Sequence, residues 1–196
     1  QGSEVGEHEA ADLELGRLAL ALSAERARAV ELVGPPTQEI ADELGLPGGL
    51  ELRYRPRSKA DSAEAFAAEL LERRSSDLDR GFTGHGPHRD ELLLSREGRE
   101  LRVYGSQGEQ RVALLSLLLA EREVLADERG QTPLLLLDDV MSELDAERRE
   151  RLVARITAAG QSVVTTTELE HVPTADEAGV VRVEVSGGVI HQEVNA

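Results

Sequence analysis

The chain of 196 residues contains no cysteine and no tryptophan. Without cysteine there is no disulfide framework, no thiolate metal site and no cysteine nucleophile. A single lysine, Lys59, stands between Ser58 and Ala60 with no glycine-rich lead. A phosphate-binding loop of the form Gly-x-x-x-x-Gly-Lys-Ser/Thr is therefore absent from the chain. No apolar run approaches the roughly 18 residues of a membrane span, and the first residues lack a basic, apolar signal segment. The five histidines show no metal-ligand spacing. Positive charge is in the minority, with a net charge of -16. Such a surface excludes a uniformly basic nucleic-acid face, though not a local arginine patch.

What is present begins with helix. Residues 1–11 are polar and read as a frayed end, with Gln1-Gly2-Ser3 resembling an expression remnant. Residues 12–31 carry Leu13, Leu18, Leu20, Leu22 and Ala29 at amphipathic helical spacing. Gly34-Pro35-Pro36 is expected to break that helix, which resumes over residues 37–44 with Thr37 as a cap. Residues 45–49 read as a turn, 50–55 as a strand, and 62–79 as a charged helix. Nothing in residues 12–79 has ligand spacing, so an accessory subdomain without chemistry is the plain reading. From Gly81 to Asp90 the chain becomes glycine-rich and polar. Residues 91–94 and 101–104 then predict a β-hairpin across the turn at 96–99.

The remainder predicts an α/β layer, strand–helix–strand–helix–strand. Its centre is residues 134–145, LLLLDDVMSELD. A short apolar run ending in Asp138-Asp139 predicts a buried parallel strand whose C-terminal end faces a ligand. A core strand followed by a solvated acidic turn is the bland alternative. An aspartate at that place suits Mg²⁺, and a second one residue on points elsewhere and can address water. Before a helix over residues 112–125 stands Ser106-Gln107-Gly108-Glu109-Gln110-Arg111. Its serine and glycine put unpaired N–H groups at a positive helix end, an anion site. Ser106 with Glu109 also satisfies the pattern of an ordinary capping box. A helix over 146–158 leads to a strand ending in Thr165-Thr166-Thr167, either site hydroxyls or a β-branched strand exit. Residues 180–185 and 189–194 predict a terminal hairpin.

Taken in order, GPHRDEL at 86–92, YGSQGEQR at 104–111 and LLLLDDVMSELD at 134–145 resemble the C-terminal half of an ATP-binding-cassette type ATPase head. They are most similar to the RecF family of bacterial recombination proteins, over roughly residues 12–193. The resemblance implies a division into a mainly helical accessory arm at 1–79 and the C-terminal lobe of the head at 80–196. It implies that Ser106, Gln107, Gly108 and Glu109 form the signature that meets ATP held by an opposite subunit. Glu109 departs from the more frequent glutamine. Asp138 would hold Mg²⁺, Asp139 would polarise the attacking water, and Ser142 and Asp145 would form the loop crossing the dimer interface. Thr166 or a neighbouring threonine would occupy the switch position. His88, Arg89 and Asp90 would belong to a family loop with no assigned step.

The implied protein is cytoplasmic and binds ATP and Mg²⁺. It would dimerise with ATP, bind DNA at single-strand/double-strand junctions through phosphates, and assist RecO and RecR in loading RecA at gaps. This chain would be its C-terminal portion, inactive as an ATPase alone because the phosphate-binding loop lies on another lobe. Two alternatives stand beside it: the head of another structural-maintenance type ATPase, and a non-catalytic dimerisation or mediator-binding module. The first would need sustained heptads, which residues 12–79 do not supply.

Overall fold

A computed structural model describes residues 2–175, 177 and 179–194. The expectation for Gln1 lies outside them. The chain divides into two compact units, one of residues up to Gln38 with Gly48–Tyr104, the other of Glu39–Pro47 with the chain from Gly105 onward.

The first unit begins with α1 (Gly2–Glu43), whose last residues belong to the second. The break expected at Gly34-Pro35-Pro36 does not occur, and the polar N-terminal residues are helical from Gly2. Pro35 and Pro36 lie inside the helix, where each removes one backbone donor. Thr37 is not a cap: its buried hydroxyl donates to the Val33 carbonyl at 2.7 Å. β1 (Leu50–Arg55) follows, then α2 (Ala63–Arg80). Ser62 caps α2 by accepting the Ala65 N–H, and Gly81 closes it in the left-handed conformation at φ 76°. Gly16 of α1 lies so close to α2 that a Cβ there would sit 2.7 Å from the Ala63 carbonyl. Around that approach Ala19, Phe66 and Leu70 form a small core.

β2 (Glu91–Arg96) pairs antiparallel with β1 and with β3 (Arg99–Glu100) across Glu97-Gly98. Both turn residues have positive φ, as a tight two-residue hairpin requires. The hairpin is shorter than expected, because residues 101–104 form α3 (Leu101–Tyr104), a single helical turn. Leu101 turns inward while Val103 and Tyr104 are exposed. Four residues are too few for alternation to separate strand from helix. The pairing of β1 with β2 also puts residues 80–104 in the first unit, whereas the sequence suggested a division after residue 79.

In the second unit α4 (Gln107–Arg129) is followed by β4 (Leu135–Asp138), α5 (Ala146–Ala158) and β5 (Ser162–Thr165). The order from residue 101 is therefore helix–helix–strand–helix–strand. β4 and β5 are parallel, with Asp138 opposite Thr165. The leucine run is not buried throughout. Leu135 and Leu137 are 4% and 3% exposed, but Leu134 and Leu136 are 53% and 66% exposed. Only one face of this two-stranded sheet is covered among the described residues, so side chains alternate between core and solvent. Val112, Leu115 and Leu119 of α4 and Leu152, Val153 and Ile156 of α5 contribute the helical part of the core. Arg122, buried on α4, donates to the carbonyls of Pro133, Ala159 and Gln161, where β4 and β5 begin. The expected terminal hairpin is β6 (Val181–Ser186) with β7 (Val189–Val194).

Candidate nucleotide and metal site

Asp138 ends β4 at the C-terminal edge of the parallel pair. Its Oδ1 accepts the hydroxyl proton of Thr165. Its other carboxylate oxygen has no hydrogen-bond partner among the described residues. One free carboxylate oxygen at an exposed strand end fits Mg²⁺, which takes one or two carboxylates and fills its remaining positions with water and phosphate oxygens.

Asp139 follows with φ 48°. That left-handed conformation is one that aspartate tolerates better than most residues. Its N–H is shared between the Thr165 carbonyl at 3.2 Å and the Thr165 hydroxyl at 3.1 Å. Its carbonyl accepts the Ser142 hydroxyl at 3.0 Å. Asp139 is exposed, leaving its carboxylate able to orient a water.

Residues 141–145 alternate in purpose. Met141 and Leu144 are buried and anchor the loop, which leaves Ser142, Glu143 and Asp145 exposed. Asp145 caps α5 through the Arg148 N–H at 2.9 Å. Arg149 Nε donates to the Met141 carbonyl at 2.8 Å and braces the loop.

Ser106 caps α4, and both halves of the capping box are made. Its Oγ accepts the Glu109 N–H at 3.3 Å, and the Glu109 carboxylate accepts the Ser106 N–H at 2.7 Å. The cap uses a lone pair of the Ser106 hydroxyl and not its proton, so the anion reading and the cap are compatible. Gln107 and Gly108 form the first turn. Arg111 pairs with Glu143, and a Cβ on Gly108 would lie 3.3 Å from Nη1 of Arg148, which pairs with Asp145 at 3.5 Å. Arg111 thus ties the start of α4 to the loop after β4, and Arg148 packs close to Gly108.

Thr166 stands apart from Asp138. Its hydroxyl donates to the Glu168 carbonyl at 3.0 Å and accepts the Glu168 N–H at 3.2 Å, turning into its own loop. Thr165 is the threonine on the Asp138 carboxylate. Three threonines in a row cannot reveal which one the register sets against Asp138. The pairing of Arg111 with Glu143 carries no sequence signal either.

The 86–92 loop lies in the first unit. Asp90, with its side chain 4% exposed, accepts from the Tyr54 hydroxyl, from Arg26 Nη1 at 3.0 Å and from the Arg57 N–H at 2.8 Å. Burial, and then the Asp90 carboxylate, push the Tyr54 phenol above its ordinary value. Arg26 also donates to the Pro87 carbonyl at 2.6 Å. His88 Nε2 lies 2.7 Å from the Thr83 carbonyl, and Arg89 stacks over Phe82 with its guanidinium 5.3 Å from the ring centre. Nearby, Glu69 accepts from Ser58 at 2.6 Å and lies 2.5 Å from Nε2 of buried His85. Burial opposes its ionisation, but the bonds from Ser58 and His85 prevail and hold its carboxyl below the usual range.

No protein-family model matches the chain. A DNA replication and repair protein RecF of Anaeromyxobacter sp. (strain Fw109-5) is 41% identical over 171 residues, which cover 82% of this chain and 46% of that protein. Among solved structures, the recombination mediator protein RecF with ATP superposes with a TM-score of 0.76 at 27% identity, over 95% of this chain and 50% of the other. This chain is similar to the C-terminal part of RecF proteins. A structural-maintenance head bound to a winged-helix domain matches with a TM-score of 0.51 at 17% identity, over 85% of this chain and 43% of that one, a likeness of fold. The fold is accordingly the α/β one shared by RecF and the structural-maintenance ATPase heads. The chain spans about half the length of the RecF proteins it matches. Among its described residues no helix is long and apolar enough to cross a membrane.

Proposed function

We propose that this RecF-like chain supplies half of a composite ATP site to a cytoplasmic DNA-repair ATPase. The observation that carries the reading is the pair Asp138 and Asp139 at the C-terminal end of β4, bound to Thr165 of the parallel neighbour and followed by an anchored, outward-facing loop. Asp138 would hold the metal, and Asp139 would orient the attacking water. Bound Mg²⁺ would neutralise charge on the transferred phosphate. Ser106, Gln107, Gly108 and Glu109 present the start of α4 to the nucleotide of a second subunit, and Ser142 and Asp145 face that subunit. Thr166 remains a candidate for the switch position, with Thr165 favoured by its contacts.

The phosphate-binding loop comes from another lobe, since the chain has no such motif. The chain alone is therefore not an ATPase. The intact protein dimerises with ATP, contacts DNA phosphates at single-strand/double-strand junctions, and works with RecR and RecO in loading RecA at gaps, in the SOS response and in replication restart. The similarity to a RecF solved with ATP and described within the RecFOR pathway supports this placement.

Nucleotide-dependent dimerisation and turnover of the intact protein, compared with Asp138→Asn, Asp139→Asn and Ser106→Arg, test the proposal. Asp139→Asn should still dimerise with ATP but turn over about 10²-fold or more slowly, the scale of a lost general base. Ser106→Arg should fail to dimerise. Parental behaviour in all three variants would sink the assignment. Dimerisation that survives with no turnover in the parent would favour the non-catalytic module instead.

A further inference from the structure

We propose that Thr165 is the positioning residue of the acidic pair: its hydroxyl selects which oxygen of Asp138 faces the cation and holds Asp139 in its left-handed backbone. The inference rests on the reading of Asp138 as a metal ligand and adds a residue to it. A threonine hydroxyl has one proton and two lone pairs. The proton goes to Asp138 Oδ1, and one lone pair takes the Asp139 N–H at 3.1 Å. Asp138 therefore meets a cation through its other oxygen, and its carboxylate cannot rotate without losing the Thr165 bond.

The same hydroxyl reaches the residue whose φ is 48°. Outside glycine such a conformation persists only where its surroundings impose it. Here the N–H is tied to the hydroxyl and the carbonyl of Thr165, and the Asp139 carbonyl to Ser142. One side chain on β5 thus fixes the orientation of two acids on and after β4. Threonine suits the task better than serine because its branched Cβ restricts χ1. The parallel register that sets Asp138 opposite Thr165 delivers the hydroxyl to that place, and one residue further along, Thr166 is engaged with Glu168.

Mn²⁺ binding to the intact protein, read by electron paramagnetic resonance with a non-hydrolysable ATP analogue present, tests the proposal without depending on turnover. Thr165→Val keeps the shape and loses both hydroxyl bonds. Its Mn²⁺ affinity should fall about 10- to 100-fold, the usual effect of removing a partner that orients a metal ligand. Thr165→Ser should recover most of it, and Thr157→Val, a hydroxyl lost from α5, should change nothing. Unchanged affinity in Thr165→Val while Asp138→Asn abolishes binding would overturn the positioning role and leave the ATP-site reading intact. Unchanged affinity in Asp138→Asn would overturn both. Should Thr165→Val fail to fold, Thr165→Ser and Thr165→Ala decide: tighter binding by serine supports the role, and equal affinities overturn it.

Discussion

Asp138 and Asp90 are the same residue type in the two units, and their surroundings differ in kind. Asp90 is buried and receives three donors, from Tyr54, Arg26 and the Arg57 backbone. Asp138 is exposed and receives one, from Thr165, and Asp139 beside it keeps an open carboxylate. A carboxylate with both oxygens engaged is a structural lock, because any ligand would have to displace bonds already made. One with an uncommitted oxygen at a strand end can bind a metal. Glu69 is held by Ser58 and His85 through a single oxygen and stands between the two cases. The 86–92 loop and the 134–145 stretch are equally conspicuous as sequence, yet only the second presents open acids.

The comparison can be broken at several places. Asp90→Ala leaves the Tyr54 hydroxyl, the Arg57 N–H and Arg26 without their acceptor. It should cost about 2–4 kcal/mol, measured by urea unfolding, on the scale of breaking a buried ion pair. A loss under about 0.5 kcal/mol, the scale of an ordinary surface change, would make Asp90 as dispensable as an exposed acid. Glu69 should reveal itself on the acid side. Its pKa is held down in the folded state, so its stabilising contribution is full above the unfolded carboxyl value. That contribution is lost as pH falls through the lower folded one. Below about pH 4.3 the parent should lose stability more steeply than Glu69→Gln, and matching pH profiles would show that the Ser58 and His85 bonds do not favour the ionised Glu69.

The smallest effects belong to Ser106, which serves both roles. Ser106→Ala should cost about 1 kcal/mol through the broken cap, while Ser106→Gly should cost only a few tenths. Both lack the hydroxyl. If ATP-dependent dimerisation of the intact protein suffers equally in the two, the hydroxyl itself matters; a defect that tracks stability would leave Ser106 a cap alone.

Much of this was legible in the residues. The capping box at Ser106 and Glu109, the strand ending in Asp138 and the terminal hairpin depend on local patterns, and the structure has them. What was not legible depends on tertiary surroundings. α1 continues through Pro35 and Pro36, which local rules treat as a break. The four leucines before Asp138 imply burial on both faces, but coverage of a strand is decided by what packs on it. That Thr165 and not Thr166 meets Asp138 follows from the pairing register of β4 and β5. That Asp90 is locked follows from Tyr54, Arg26 and Arg57, three residues distant in sequence whose convergence no spacing announces.

The open and locked classes meet in one measurement: the Mn²⁺ affinity of the intact protein with bound ATP analogue, in Asp138→Asn and Asp90→Asn side by side. Asparagine keeps a carbonyl acceptor at both positions, so each retains part of its hydrogen bonding while losing its charge. The account predicts that Asp138→Asn loses the metal and that Asp90→Asn binds it as the parent does. Retention by Asp138→Asn, or equal loss in a folded Asp90→Asn, would contradict it.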